Sequence, residues 1–268
     1  MSAVRLSSRS MIGMLLAAGS ALVAAFVLAP AALLDGADGA LDDEAVLRSE
    51  VGRGLAEYWR DGGPRFPALL ARLVDYWFRW HAIKVVISAL MLVVFALLAV
   101  ALWRRYLHGA ARYAVAAIGA TGFTVLATGL LMLNIQATAV PLVALLPLVD
   151  GAAPGSDLGR TLHEIREGLT EPAGAHAASP ALSVLLGETQ RYHWTMVATA
   201  ATAIVAIGLV GAALWRRRAA VDSRMRLMRR TVGVIMALTG SLLLLVVAAG
   251  ALSATEPADT LLTVMNPP

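Results

Sequence analysis

The chain of 268 residues is 59% hydrophobic and only 15% charged, with a formal net charge of +4. Soluble domains carry about 25% charged residues, so this composition excludes an ordinary soluble enzyme, a disordered chain and a disulfide scaffold. Cysteine is absent, which removes disulfides, thiolate metal sites and a cysteine nucleophile. What remains is an all-α integral membrane protein.

A hydrocarbon core of about 30 Å takes about 20 apolar residues as a helix. Five stretches reach that length in chain order: 11–34, 83–103, 113–149, 195–215 and 231–252. None contains an acidic residue, and Lys84 is their single charge, near a segment end where it can snorkel. The third stretch is too long for one crossing. Asn134 and Gln136 interrupt it, and Pro141 and Pro147 follow. The expected span is therefore 113–133, with a kinked extension to 149 whose freed backbone groups need cover from protein or water. The first stretch also resembles the apolar part of a signal peptide, but such regions usually run about 7–15 residues, so it is read as a retained span.

The connections sort by charge. The N-terminal tail, the loop 104–112 and the loop 216–230 carry a net +11, while the segments 35–84 and 150–191 and the C-terminal tail carry −7. Arginine-rich short loops lie on the cytoplasmic side. The expectation is a plasma-membrane protein with its N-terminus inside and its C-terminus outside. The run Arg216, Arg217, Arg218, Arg224, Arg226, Arg229 and Arg230 is suited to anionic lipids at the cytoplasmic face. It lacks interleaved aromatics and sits between two spans, so nucleic acid is not expected as a partner.

Self-comparison gives a repeat of about 112 residues. Trp103, Arg104 and Arg105 recur as Trp215, Arg216 and Arg217, and Arg79, Trp80 and His81 as Arg191, Tyr192 and His193. Residues 1–105 form the first expected unit: span 11–34, outer loop 35–82 and span 83–103. Residues 106–218 form the second: span 113–133 with its extension, outer loop 150–194 and span 195–215. Residues 219–268 add a basic cytoplasmic loop, the span 231–252 and an outer tail. Both copies enter and leave on the same sides, so the repeat is parallel. The two Trp-Arg-Arg ends read as membrane anchors, with indoles at headgroup depth.

The outer loops carry helical patterns. Leu47, Val51, Leu55 and Tyr58 form one stripe, with Asp42 or Asp43 as its cap and Asp61, Gly62, Gly63 and Pro64 as its stop. A second helix is expected over 66–81, with Pro67 in its first turn. Leu158, Leu162, Ile165 and Leu169 line a third helix after Ser156 and Asp157, and Pro180 opens a fourth towards Trp194. Together these would make an extracytoplasmic helical cap.

No Walker loop, dinucleotide fingerprint, nucleophile elbow or paired-histidine zinc motif is present. Three functions stay open. The first is a non-enzymatic accessory protein whose cap engages a membrane-protein partner, a second copy or lipid. The second is a haem- or quinone-linked redox protein using His81 and His193, two imidazoles at equivalent outer positions. The third is a small-solute or lipid transporter with Asn134, Gln136 and Pro141 lining its groove. The plainer readings are interfacial histidines bonded to water or headgroups, and interhelical packing by Asn134 and Gln136.

The topology is directly testable in a cysteine-free chain. Arg53→Cys is expected to react with an impermeant maleimide on intact cells, and Arg226→Cys only after permeabilisation. The opposite pattern would invert the orientation.

Overall fold

A computed structural model describes residues 8–34, 39–149, 153, 155–170, 179–216 and 222–265. Among these residues all regular structure is helical. Five helices are long and apolar enough to cross a membrane: α1 (Ser8–Leu34), α3 (Ala68–Leu107), α4 (Tyr113–Ala139), α7 (Pro180–Arg216) and α8 (Ser223–Thr255). Between them lie α2 (Glu44–Asp61), α5 (Pro141–Leu145), α6 (Asp157–Thr170) and the terminal α9 (Pro257–Met265), with tight 3-10 turns at Gly39–Asp42 and Leu146–Val149.

Three boundaries differ from the sequence expectation. The outer helix 66–81 and the span 83–103 are one helix of 40 residues, and the fourth outer helix likewise runs into its span as a helix of 37. Nothing in the sequence stops either one. Pro67 precedes α3 and Gly109 follows it, and no proline falls inside it. Similarly α4 continues past residue 133 to Ala139, so the break falls at Val140 and Pro141 rather than at the amide residues. The outer tail is not plain coil. Pro257 occupies the first helical position of α9, and Leu261 and Met265, one turn apart, bury its inner face.

The chain divides into two compact units. The span unit comprises Met1–Ala29, Ile83–Leu133 and Thr199–Leu245. Small residues let its helices approach closely: Ala117 and Ala127 are fully buried, and Gly19 lies against the ring of Phe95. Phe95 in turn stacks on Phe123 at 5.1 Å. Trp103 Nε1 donates to Thr121 Oγ1 at 3.0 Å, and that hydroxyl donates back to the Ala117 carbonyl. By contrast, only 6% of the apolar window of α7 and of α8 is buried.

The loop-helix unit comprises Pro30–Ala82, Asn134–Ala198 and Val246–Pro268. Its helices start and stop where local chemistry dictates. Asp43 caps α2 by accepting from Ala45 N at 2.8 Å, and Gly62, at φ 65°, ends it in the left-handed conformation that glycine adopts without strain. The core joins Leu47, Val51, Leu55 and Tyr58 of α2 to Leu162, Ile165 and Leu169 of α6. Burying each such side chain contributes about 1.5–3 kcal/mol. Leu70 and Leu73 of α3 and Leu182 and Leu185 of α7 are buried in the same core. Leu145 and Leu261 are both fully buried, in elements that each begin with proline, Pro141 and Pro257.

Tyr58 brings a polar group into that core. Its hydroxyl donates to the Ala181 carbonyl at 3.3 Å, and burial, reinforced by the charge of Glu188, pushes the phenol up from 10.0 to about 12. A group whose folded value is raised stabilises fully below its unfolded value and loses that contribution as pH rises through the folded one. Thermal melts in detergent are therefore expected to lose stability between pH 10 and about 12. Tyr58→Phe should weaken the fold at neutral pH by about 0.5–1.5 kcal/mol but flatten the alkaline loss. An unchanged alkaline profile would assign that loss to other groups.

Candidate functional site

Helix α2 is amphipathic, and its polar face carries ion pairs along the helix. Arg48 pairs with Glu44 at 2.8 Å one turn away, and Arg53 pairs with Glu50. Across from this face lie the turn at Leu148 and Val149 and the start of α6, where Ser156 Oγ accepts from Gly159 N at 3.0 Å. Between them runs an open groove of about 1200 Å³. Its floor is small or apolar, formed by Gly52, Ala56, Leu148, Val149 and Leu158.

Gly52 sets the width of that floor. A Cβ there would fall 2.7 Å from Leu158 Cδ2, so the absence of a side chain lets α2 and α6 close together. Trp59 Nε1 reinforces the pairing by donating to Glu164 Oε2 at 2.8 Å. The rim alternates in sign. Arg48, Arg53 and Arg60 are interspersed with Asp43, Glu44, Glu57 and Asp157. Such a rim builds no strong field of one sign, so it does not favour phosphate or nucleic acid. It suits a polypeptide that offers both charges around an apolar centre.

The histidines expected to act as a pair are each engaged locally. His81 Nδ1 sits 2.9 Å from the Trp77 carbonyl of its own helix, and its ring packs on Trp77 at 4.5 Å. His193 is half-buried against Tyr192 with ring centroids 5.5 Å apart, and its Nδ1 is buried without a hydrogen-bond partner among the described residues. No group of three or more metal-ligating side chains occurs among the described residues.

Asn134 and Gln136 are both buried, at 5% and 4% exposure. Their main chains finish α4: the Asn134 carbonyl accepts from Thr138 Oγ1 at 2.7 Å, and the Gln136 carbonyl from Val140 N at 3.1 Å. Pro141 then opens α5 without a side-chain cap. The carbonyl left free at Ala139 accepts from the Arg191 guanidinium at 2.8 Å. A cation at a helix C-terminus satisfies both the orphan carbonyl and the dipole. The sequence marked Arg191 only as a repeat position.

The anchors divide. Trp103 is 7% exposed and its indole N–H donates to Thr121, so its side chain packs inside the span unit. Arg104 and Arg216 are exposed and Arg105 is half-buried. The Trp215 side chain and Arg217 lie outside the described residues. Sequence reading passed over the α2–α6 groove. Its signal was Gly52 inside an otherwise amphipathic helix, where glycine costs about 1 kcal/mol against alanine and so marks a close approach. No protein-family model, curated protein or solved structure matches the chain.

The buried Gln136 Nε2 has no partner among the described residues. An unmade hydrogen bond of this kind costs about 1–3 kcal/mol. Gln136→Met, which keeps the volume and removes the amide, is expected to raise the melting temperature in detergent. A clear drop would mean that a bound solute or water satisfies the amide.

Proposed function

We propose that this multi-pass membrane protein is an accessory protein that engages a protein partner through the α2–α6 groove on its extracytoplasmic helices. The observation that carries this reading is the groove itself, with an apolar floor inside a rim of both charges on helices that contribute no transmembrane length. Central apolar contact supplies affinity, and the alternating rim sets register and excludes wrong partners. The reading is preferred to a haem- or quinone-linked role because neither His81 nor His193 lines this groove. It is preferred to transport at Asn134 and Gln136 because both are buried where α4 ends. The arginine bias of the short loops 104–112 and 216–230 supports an orientation that leaves the groove outside the cytoplasm.

The test uses a photo-crosslinking residue at Arg53, on the groove rim, and a control at Arg72 on α3. Illumination of intact cells is expected to give a discrete adduct from Arg53 and none from Arg72. Ser49→Trp, which fills the groove from the α2 side, should abolish the adduct while the purified protein keeps its melting temperature. Equal labelling at both positions, or an adduct that survives Ser49→Trp, would dismiss the groove as the docking site.

A further inference from the structure

The groove between α2 and α6 follows α2 along its whole length, from Asp43 at the cap to Arg60 in the last turn. Its walls offer a polypeptide side chains and no ladder. An extended segment binds by continuing a sheet, with main-chain hydrogen bonds supplying its affinity. Among the described residues there is no strand to continue, and the floor is small or apolar. The hydroxyls of the lining are also committed locally. Ser49 Oγ donates to the Val46 carbonyl at 3.0 Å, and Ser156 Oγ to the Ala153 carbonyl at 2.7 Å. An extended main chain laid on this floor would therefore bring its N–H and C=O groups onto apolar surface without partners. A helix bonds its own backbone and presents only side chains.

The rim adds a direction. Towards the start of α2, Asp43 and Glu44 outnumber Arg48, and towards its end Arg53 and Arg60 outnumber Glu57. Asp157 stands near the middle, because its neighbour Leu158 lies against Gly52. Any helix favours acidic side chains in its first turn and basic ones in its last. A helix that matches both this rim and its own dipole has its acidic start beside Arg53 and Arg60 and its basic end beside Asp43 and Glu44. Given that the groove docks a protein partner, we infer that the partner enters as an amphipathic helix running antiparallel to α2. Its apolar stripe lies over Ala56, Leu158 and Leu148, and its charges complement the two ends of the rim. At 18 residues, α2 offers such a helix about five turns of contact.

The test places a photo-crosslinking residue at Ala45 or at Arg60 of the full chain in intact cells and maps each adduct on the partner by tandem mass spectrometry. Both side chains are exposed, so neither replacement enters the core. The two positions are about 22 Å apart along α2, a distance that a helix covers in about 15 residues and an extended segment in about 7. The expected result is two labelled sites about 15 residues apart, with the one reached from Arg60 nearer the partner's N-terminus. A separation of about 7 residues would overturn the helix while leaving the groove as a docking site. The reverse order would overturn the antiparallel direction. Adducts on this chain itself would seat a second copy there and overturn the partner helix. No discrete adduct from either position would remove the docking reading and this inference together. The charge match has its own readout. With the crosslinker at Ala45, Arg60→Glu should lower the adduct yield about threefold and Arg60→Lys should restore it. An undiminished yield in Arg60→Glu would refute the match.

Discussion

A polypeptide in hydrocarbon has no water to satisfy its backbone, so every peptide group has to find its partner within the protein. The long helices here follow from that demand. It explains why α3 and α7 do not stop at the edge of their apolar stretches, since ending a helix leaves four carbonyls to be satisfied elsewhere. It also explains the care taken at the break after Ala139. There the chain changes direction at Val140 and Pro141, and Arg191 comes across from α7 to take up the exposed carbonyl. The same arginine pairs with Glu188 at 3.1 Å, which fixes its position on the helix.

The two units solve packing in different currencies. In the span unit water is not available to drive association, so close approach of small residues and a few hydrogen bonds do the holding. Ala117, Ala127 and the Trp103–Thr121 bond are of this kind. In the loop-helix unit leucines, isoleucine and tyrosine fill a core of ordinary aqueous type, closed by capped and terminated short helices. The groove on α2 and α6 belongs to the second kind of packing, with a small and apolar floor inside a rim of both charges.

Much of the fold was readable residue by residue. The five apolar stretches, the Asp43 cap, the stop at Gly62 and the apolar stripe of α6 all have local causes, and each stands where the pattern places it. The fusion of outer helices with spans was less readable, because an amphipathic helix and an apolar one share a backbone and only glycine or proline would separate them. α9 was hidden by its brevity, although Leu261 and Met265 at helical spacing were its signal. The packing of Trp103 was unreadable for a different reason. Its neighbours Arg104 and Arg105 indicate depth along the helix, but not rotation about it, and rotation turns the indole towards Thr121.

The sequence by itself determined the solvent of this protein, the number of its long helices and the sorting of its charges, since each depends on composition summed over a segment. The tertiary structure alone decided which polar faces converge on a groove, which amides are buried and which arginine covers the open end of α4. The physical reason is that periodicity assigns a residue to a face of its own helix and carries no information about the helix opposite. Gly52 against Leu158, and Trp59 against Glu164, are relations between segments far apart in the chain. Such relations come into being only when the helices pack.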